Sequence, residues 1–320
     1  MTHPSHRLVV AAIVGTLLSP HALADSDGSY APGFDGERAF EDLRSLVALG
    51  PRASGSPGAE RTRELIRSRL RQAGWPSREQ RFEARPPNHV PVPMVNLVAE
   101  LPGPEPLWIV FGTHYDTKRV EGIRFVGAND GASGVALLLE LARQLVPASR
   151  PYGVRLLFFD GEESFGPHLT LEDGLYGSRA LSREMKLAGQ LDSVAALVVV
   201  DMVADRDLDL VDDQNSSAGL RSLLLRAAQR LELESLLREG PRTAIFDDHV
   251  PFKREGLDRV LCLIDLRYGD RSLPGPFWHS SRDSLDAVSS SSLNRVGRLV
   301  VELYGLLLLE LREGRLPYPP

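Results

Sequence analysis

Six apolar runs spaced along this chain constrain its fold more than any other feature: 80–84, 95–101, 107–111, 154–159, 195–200 and 259–264. Several are continuous rather than alternating, as in strands buried on both faces. Between and around them lie stretches with apolar residues at helical spacing: 37–49, 57–74, 134–145, 175–187, 218–237 and 291–311. Phe40, Leu43, Leu46 and Val47 set that spacing in the first, and Gly50-Pro51 ends it. Strands alternating with helices predict an α/β fold, a mixed, mostly parallel central sheet flanked by helices. No repeat, low-complexity tract or linker divides the chain, so a single domain is expected over residues 36–320.

Residues 1–24 read as a secretory signal: a weakly basic head, the apolar run 8–18, then Pro20 and the Ala22-Leu23-Ala24 triplet. That apolar core is too short to span a bilayer, which needs about twenty residues. Residues 25–35 are polar, contain Gly and Pro, and read as a flexible leader. The expected product is periplasmic or secreted, with no membrane attachment after cleavage. A net charge of −6 and no basic run exclude nucleic acid as an expected partner. The single cysteine, Cys262, cannot form an internal disulfide, so the core must carry stability. It lies in Val-Leu-Cys-Leu-Ile and reads as a strand packing residue. No heptad pattern suggests an assembly, and a monomer is expected.

In folds of this class the active site lies just past the carboxyl ends of the strands. Polar residues appear there repeatedly: Gly-Thr-His114-Tyr-Asp116, Val-Gly-Ala-Asn-Asp130-Gly-Ala-Ser-Gly, Asp-Gly-Glu162-Glu163, Asp201, and Phe-Trp278-His279-Ser-Ser-Arg-Asp283. Each alone has a plain structural explanation, since a strand-end His is commonly a hydrogen-bonded one, Asp-Gly a turn, and Glu-Glu a solvated face. Together they offer what zinc takes when no Cys is supplied, His nitrogen and carboxylate oxygen. A catalytic zinc uses three such ligands and an open position. His-x-Asp suits an imidazole oriented by a carboxylate. Of two adjacent glutamates, one can bind metal while the other moves protons. The 127–134 segment lacks the Lys and spacing of a phosphate-binding loop. Ser216, Ser217 and 289–292 read as helix caps and loop residues.

Gly-Ala-Asn-Asp-Gly-Ala-Ser-Gly, Asp-Gly-Glu-Glu and the late Trp-His-Ser, in that order, resemble the zinc aminopeptidase family, which includes di-zinc exopeptidases and animal-type glutaminyl cyclases. The resemblance extends from Leu49-Gly-Pro-Arg through the final helix and implies a zinc exopeptidase-like fold. It further implies Asp130, Glu163 and His279 as zinc ligands, with Glu162 as general base and acid. His114 and Asp201 match the ligands of a second zinc in the peptidases, with Asp116 orienting His114. One zinc is expected and two are open.

Two chemistries share such a site. The stretch 158–165 followed by an insertion and Asp173-Gly-Leu-Tyr-Gly-Ser-Arg179 resembles the cyclases, as does Asp247-Asp-His-Val-Pro-Phe. By that resemblance Asp247 joins Glu162 and Asp201 in an acidic catalytic chain, and Trp278 walls the substrate pocket. The expected reaction is cyclisation of N-terminal Gln in peptides and proteins to pyroglutamate with release of ammonia. Zinc-dependent removal of N-terminal residues is the alternative, and an inactive binding module of the same fold is a third. Two positions depart from the cyclase pattern: His168 stands near where a Trp is expected, and Cys262 where a His is expected.

Overall fold

The computed structural model describes residues 33–145, 150–237 and 242–315, so the expected signal and most of the expected leader lie outside the described residues. The described residues begin with the last three of the expected leader, which are already packed. Phe34 is buried in the core, and Asp35 caps the first helix, its side chain accepting from Arg38 N at 3.0 Å. That helix, α1, spans Gly36–Ala48, and α2 spans Pro57–Gln72. Ser56 caps α2 by accepting from Ala59 N, and Pro57 takes the first turn, where its missing N–H is no loss.

All six expected strands form, most of them longer than their apolar cores: β1 Ser77–Ala84, β2 Val92–Leu101, β3 Glu105–His114, β4 Tyr152–Phe159, β5 Val194–Asp201 and β6 Val260–Ile264. They build one sheet in the order β1-β2-β4-β3-β5-β6. β4, β3, β5 and β6 run parallel, while β1 and β2 pair antiparallel at one end. The helices α3 (Ala132–Gln144), α4 (Tyr176–Leu187), α5 (Ala218–Arg230), α6 (His249–Arg254) and α7 (Ser290–Arg312) complete the fold. One face of the sheet is covered by α1, α2, α3, α5 and α7. The other carries α4 and α6. Both faces of the parallel strands are therefore dry, which is why their sequences show no alternation.

Two expectations needed correction. The stretch expected to be helical to residue 237 leaves the helix at Arg230, because Glu232 adopts a left-handed φ of 56° and turns the chain into a 3₁₀ turn at Glu234–Leu236. The short α6, built on the Asp-Asp-His-Val-Pro-Phe segment, was not anticipated. Its Pro251 falls in the first turn, where a proline starts a helix as readily as it ends one. Ser217 and Ser289 do cap α5 and α7, accepting from Leu220 N and Ser292 N. Ser216 instead donates to Asp213 and accepts Cys262 N.

The strand order places the site. The connection leaving β3 passes through α3 to β4, and that leaving β5 passes through α5 to β6. Adjacent strands whose connections depart in opposite directions leave a crevice at their carboxyl ends. The last residues of these two strands are His114 and Asp201.

Candidate metal centre and pocket

Every expected site residue arrives at this crevice. His114 Nε2 lies 3.1 Å from Asp201 Oδ1 and 3.2 Å from Asp130 Oδ1. Asp130 ends the loop before α3, and Glu162 and Glu163 follow β4. His279 Nε2 stands 3.3 Å from Asp130 Oδ2 and 3.2 Å from Glu163 Oε2. Donors bound at about 2.0–2.2 Å to one four-coordinate ion stand roughly 3.3–3.6 Å apart, so these separations suit a tetrahedral metal. Asp130 Oδ2 is buried and accepts no aligned hydrogen bond from any described residue, an orphan oxygen of the kind a cation satisfies. His114, Asp130 and Asp201 form a second group of buried donors, all within 4.8 Å of one another.

The electrostatics agree. Burial disfavours a charged His279, yet Glu163 and Asp130 outweigh it and push its pKa up to about 10. Burial would raise Asp130, but the nearby imidazoles of His114 and His279 pull it below the usual carboxylate range. A cation is therefore wanted between these groups, whether proton or metal. Burial, then Glu163, Asp247 and Asp248, hold the Glu162 carboxyl well above its ordinary value against the pull of His114. Asp201 is raised to about 7, first by burial and then by Asp247 and Asp130 against His114.

Residues without obvious motifs hold this arrangement. Arg52 is completely buried and fans its guanidinium onto main-chain carbonyls, with Nε to Tyr115 at 3.1 Å, and Nη1 and Nη2 to Val126 and Gly127 at 2.6 and 2.9 Å. Asp283 accepts the N–H groups of Asn129 and Asp130 at 2.7 and 3.1 Å. Asp116 sits 3.5 Å from His114 Nδ1, and its carboxylate also accepts the N–H groups of Glu162 and Glu163 at 3.1 and 3.4 Å. It thus positions both the histidine and the glutamate pair. Lys118 N donates to Glu163 Oε1, and its ammonium ties down Ser164 and Gly166. Among these, Asp116 alone was expected to position a neighbour, and Arg52 and Lys118 carried no spacing that marks them.

Gly131 and Gly134 explain the glycine-rich loop. Gly131 has φ +84°, and a Cβ there would lie 2.6 Å from Asp116 O and 3.1 Å from the His114 ring. At Gly134 a Cβ would meet Thr113 Oγ1 at 2.0 Å, so α3 packs on β3 only without one. His279 and Met202 both take left-handed backbone at φ 50°. Non-glycine residues adopt that region at roughly 1–2 kcal/mol, and such residues cluster at functional sites.

Beside the donors lies a cavity of about 210 Å³. Its lining includes the acids Glu162, Asp201 and Asp247 and the apolar side chains Ile245, Phe246 and Trp278. Trp278 stacks on His279 at a ring separation of 3.8 Å. The expected aromatic replacement at His168 is corrected: His168 is exposed, and Pro167 and Leu169 line the cavity in its place. Cys262 is buried in β6, but its thiol also donates to Asp247 Oδ2 at 3.1 Å, a contact beyond packing.

An open α/β sheet with His and carboxylate donors gathered at its topological switch defines an exopeptidase-like fold carrying a metal-type site. Residues 96–304 match Peptidase family M28, and the chain belongs to that family. It is 31% identical over 303 residues to a glutaminyl-peptide cyclotransferase of Bos taurus, covering 82% of this chain and 80% of that protein. It is 34% identical to a glutaminyl cyclase from an Acidobacteriales bacterium, with a TM-score of 0.82 across 88% of this chain and 97% of that one. A Zn-dependent exopeptidase from Parabacteroides distasonis, 21% identical with a TM-score of 0.75, covers 85% of this chain and 98% of its own, and shares the fold.

Proposed function

We propose that this chain is an exported, zinc-dependent glutaminyl-peptide cyclotransferase, acting as a monomer on peptide and protein N-termini. The observation that carries the proposal is the cavity itself. It is sized for one side chain and brings Glu162, Asp201 and Asp247 against the donors Asp130, Glu163 and His279. These three would hold the zinc, which when bound supplies Lewis-acid polarisation of the substrate's side-chain amide.

The substrate's α-amine attacks the side-chain carbonyl carbon, and a carbon–nitrogen bond closes the five-membered lactam. Glu162 takes a proton from the attacking nitrogen and delivers it to the departing amide nitrogen, whose bond to carbon breaks to release ammonia. No net proton is gained or lost. A carboxyl held above its ordinary pKa, as Glu162 is, is suited to exchange protons near neutrality. Burial, Glu163, Asp247 and Asp248 maintain that bias, Asp201 lines the same cavity beside them, and Ile245, Phe246 and Trp278 keep competing water away from the carbonyl.

One observation favours a second reading. The His114–Asp130–Asp201 group could hold a second ion, as an aminopeptidase would use. Mass spectrometry of a Gln-initiated peptide after incubation with zinc-loaded protein separates the two. Loss of one ammonia with the chain intact supports the cyclase. Release of the first residue overturns it, and a zinc content near two per chain would then be expected.

A further inference from the structure

A cavity sized for one side chain leaves the rest of a peptide substrate outside it. Next to the cavity lies a larger cleft of about 560 Å³, and Phe246 forms part of both walls. Its floor includes Phe82, Leu175 and Tyr176, and its rim carries Arg179, Arg183 and Arg254, all exposed. Arg254 lies over the Phe246 ring at 5.5 Å, and Arg179 over the Tyr176 ring at 5.6 Å, with Arg179 Nη1 donating to Gly174 O at 3.4 Å and its Nη2 left for a ligand. Among the described residues no carboxylate pairs with any of the three. Glu83, on the same rim, is taken by Arg85 at 2.6 Å, leaving Glu172 and Glu255 as the other acids there.

An aromatic ring under a guanidinium orients it and leaves its N–H edge open, the edge that binds carboxylates bidentately. We propose that this cleft receives the residues following the N-terminal glutamine, and that it selects peptides with acidic side chains there. The inference deepens the glutamine-cyclising reading and rests on it. Phe246 is the divider, its one side closing the reaction cavity and its other supporting Arg254. Two exposed ion pairs of ordinary strength together give a preference of about tenfold.

The test uses the zinc-loaded protein and three peptides alike except at the third and fourth positions, which are Glu-Glu, Lys-Lys or Ala-Ala. The Glu-Glu peptide should have a kcat/KM about tenfold above the Lys-Lys peptide. That preference should shrink as salt rises, because local pairing is screened. The opposite salt response would mark general repulsion of acidic peptides by a chain of net charge −6. In Arg179→Glu/Arg254→Glu the preference should vanish or invert, while the Ala-Ala peptide keeps its wild-type kcat/KM and so reports an intact enzyme. If the double variant loses that control reaction, Arg183→Glu alone should still weaken the preference. Equal rates for the charged peptides, or a preference that survives these substitutions, overturn the proposal. Fluorescence anisotropy of labelled pyroglutamyl peptides reads binding without turnover. Acid-selective binding without any ammonia release would retain the cleft and remove the cyclase reading. Ammonia release with no selectivity in either assay would do the reverse.

Discussion

Arg52 makes no contact expected with substrate, yet its removal should be felt both in stability and in metal binding. Three hydrogen bonds of 2.6–3.1 Å run from its guanidinium to the carbonyls of Tyr115, Val126 and Gly127. Bonds from a charged donor contribute about 1.5–3 kcal/mol each, or roughly 4.5–9 kcal/mol together. Against this stands the burial of the charge. It lowers the Arg52 pKa to about 10, partly offset by Asp283, Asp130 and Asp116. That shift corresponds to about 3 kcal/mol returned when the cation is removed. The balance for Arg52→Met is a loss of about 4 kcal/mol, which at about 2–4 °C per kcal/mol lowers Tm by roughly 8–16 °C. Arg52→Lys separates charge from geometry, because an ammonium cannot reach three carbonyls that a planar fork spans. It should recover less than half of the loss. The measurement is urea unfolding in chelator, so that metal does not confound it, followed by competition titration with zinc. Weakened support around metal ligands commonly costs about 10–100-fold in affinity, and both variants should show it. The reasoning is refuted if Arg52→Met lies within 1 kcal/mol of wild type, or if Arg52→Lys restores full stability (1 kcal/mol being roughly one ordinary hydrogen bond).

The adjacent glutamates should separate cleanly. Glu163→Ala should purify without stoichiometric zinc, whereas Glu162→Gln should retain zinc and lose about 10²–10⁴ in kcat, the usual loss on removing a general acid–base; zinc analysis beside ammonia release decides, and an active Glu162→Gln protein removes that residue from the mechanism. Gly131→Ala combines left-handed backbone with contacts to Asp116 O and the His114 ring, and should lose roughly 2–4 kcal/mol in chemical denaturation. Asp265 supplies a pH effect away from the metal donors. Burial raises its pKa from 3.8 to about 7, with Asp205 adding and the Asp209 and Arg267 N–H groups opposing. Between those values the folded state binds more protons than the unfolded one, so this group's contribution falls as pH rises from about 4 to about 7, by about 4 kcal/mol in all. Asp265→Asn should flatten that part of the stability profile, and an unchanged slope between the two proteins would sink the assignment.

The sheet was legible because a strand buried on both faces can be little other than a run of apolar residues, and all six runs became strands. The reactive residues were legible for a related reason. The carboxyl end of such a run is where the chain leaves the core, and His114, Glu163 and Asp201 stand just there. Arg52 and Asp283 were not legible as supports. They act through main-chain atoms of residues distant in sequence, and neither motif nor period records such a pairing. The left-handed turn at Glu232 escaped because Glu fits a helix interior well, and only tertiary packing imposes the turn. His168, which stands near the position of a Trp in the cyclase pattern, is exposed, and its neighbours Pro167 and Leu169 line the pocket, a choice that a loop without periodicity does not record in its sequence.

The three donors Asp130, Glu163 and His279 come from loops far apart along the chain, while the lone cysteine is buried and free. An ion seated between them would therefore be a cross-link in a protein that has no covalent one. It would tie the loop before α3, the loop after β4 and the turn before α7 into one knot, and release of the ion would loosen all three together. Ligand held at a thousandfold above its dissociation constant adds about 4 kcal/mol to a fold. Metal supply would then set not only how many molecules are active but how many survive proteolysis, so that scarcity would lower abundance and activity by the same act.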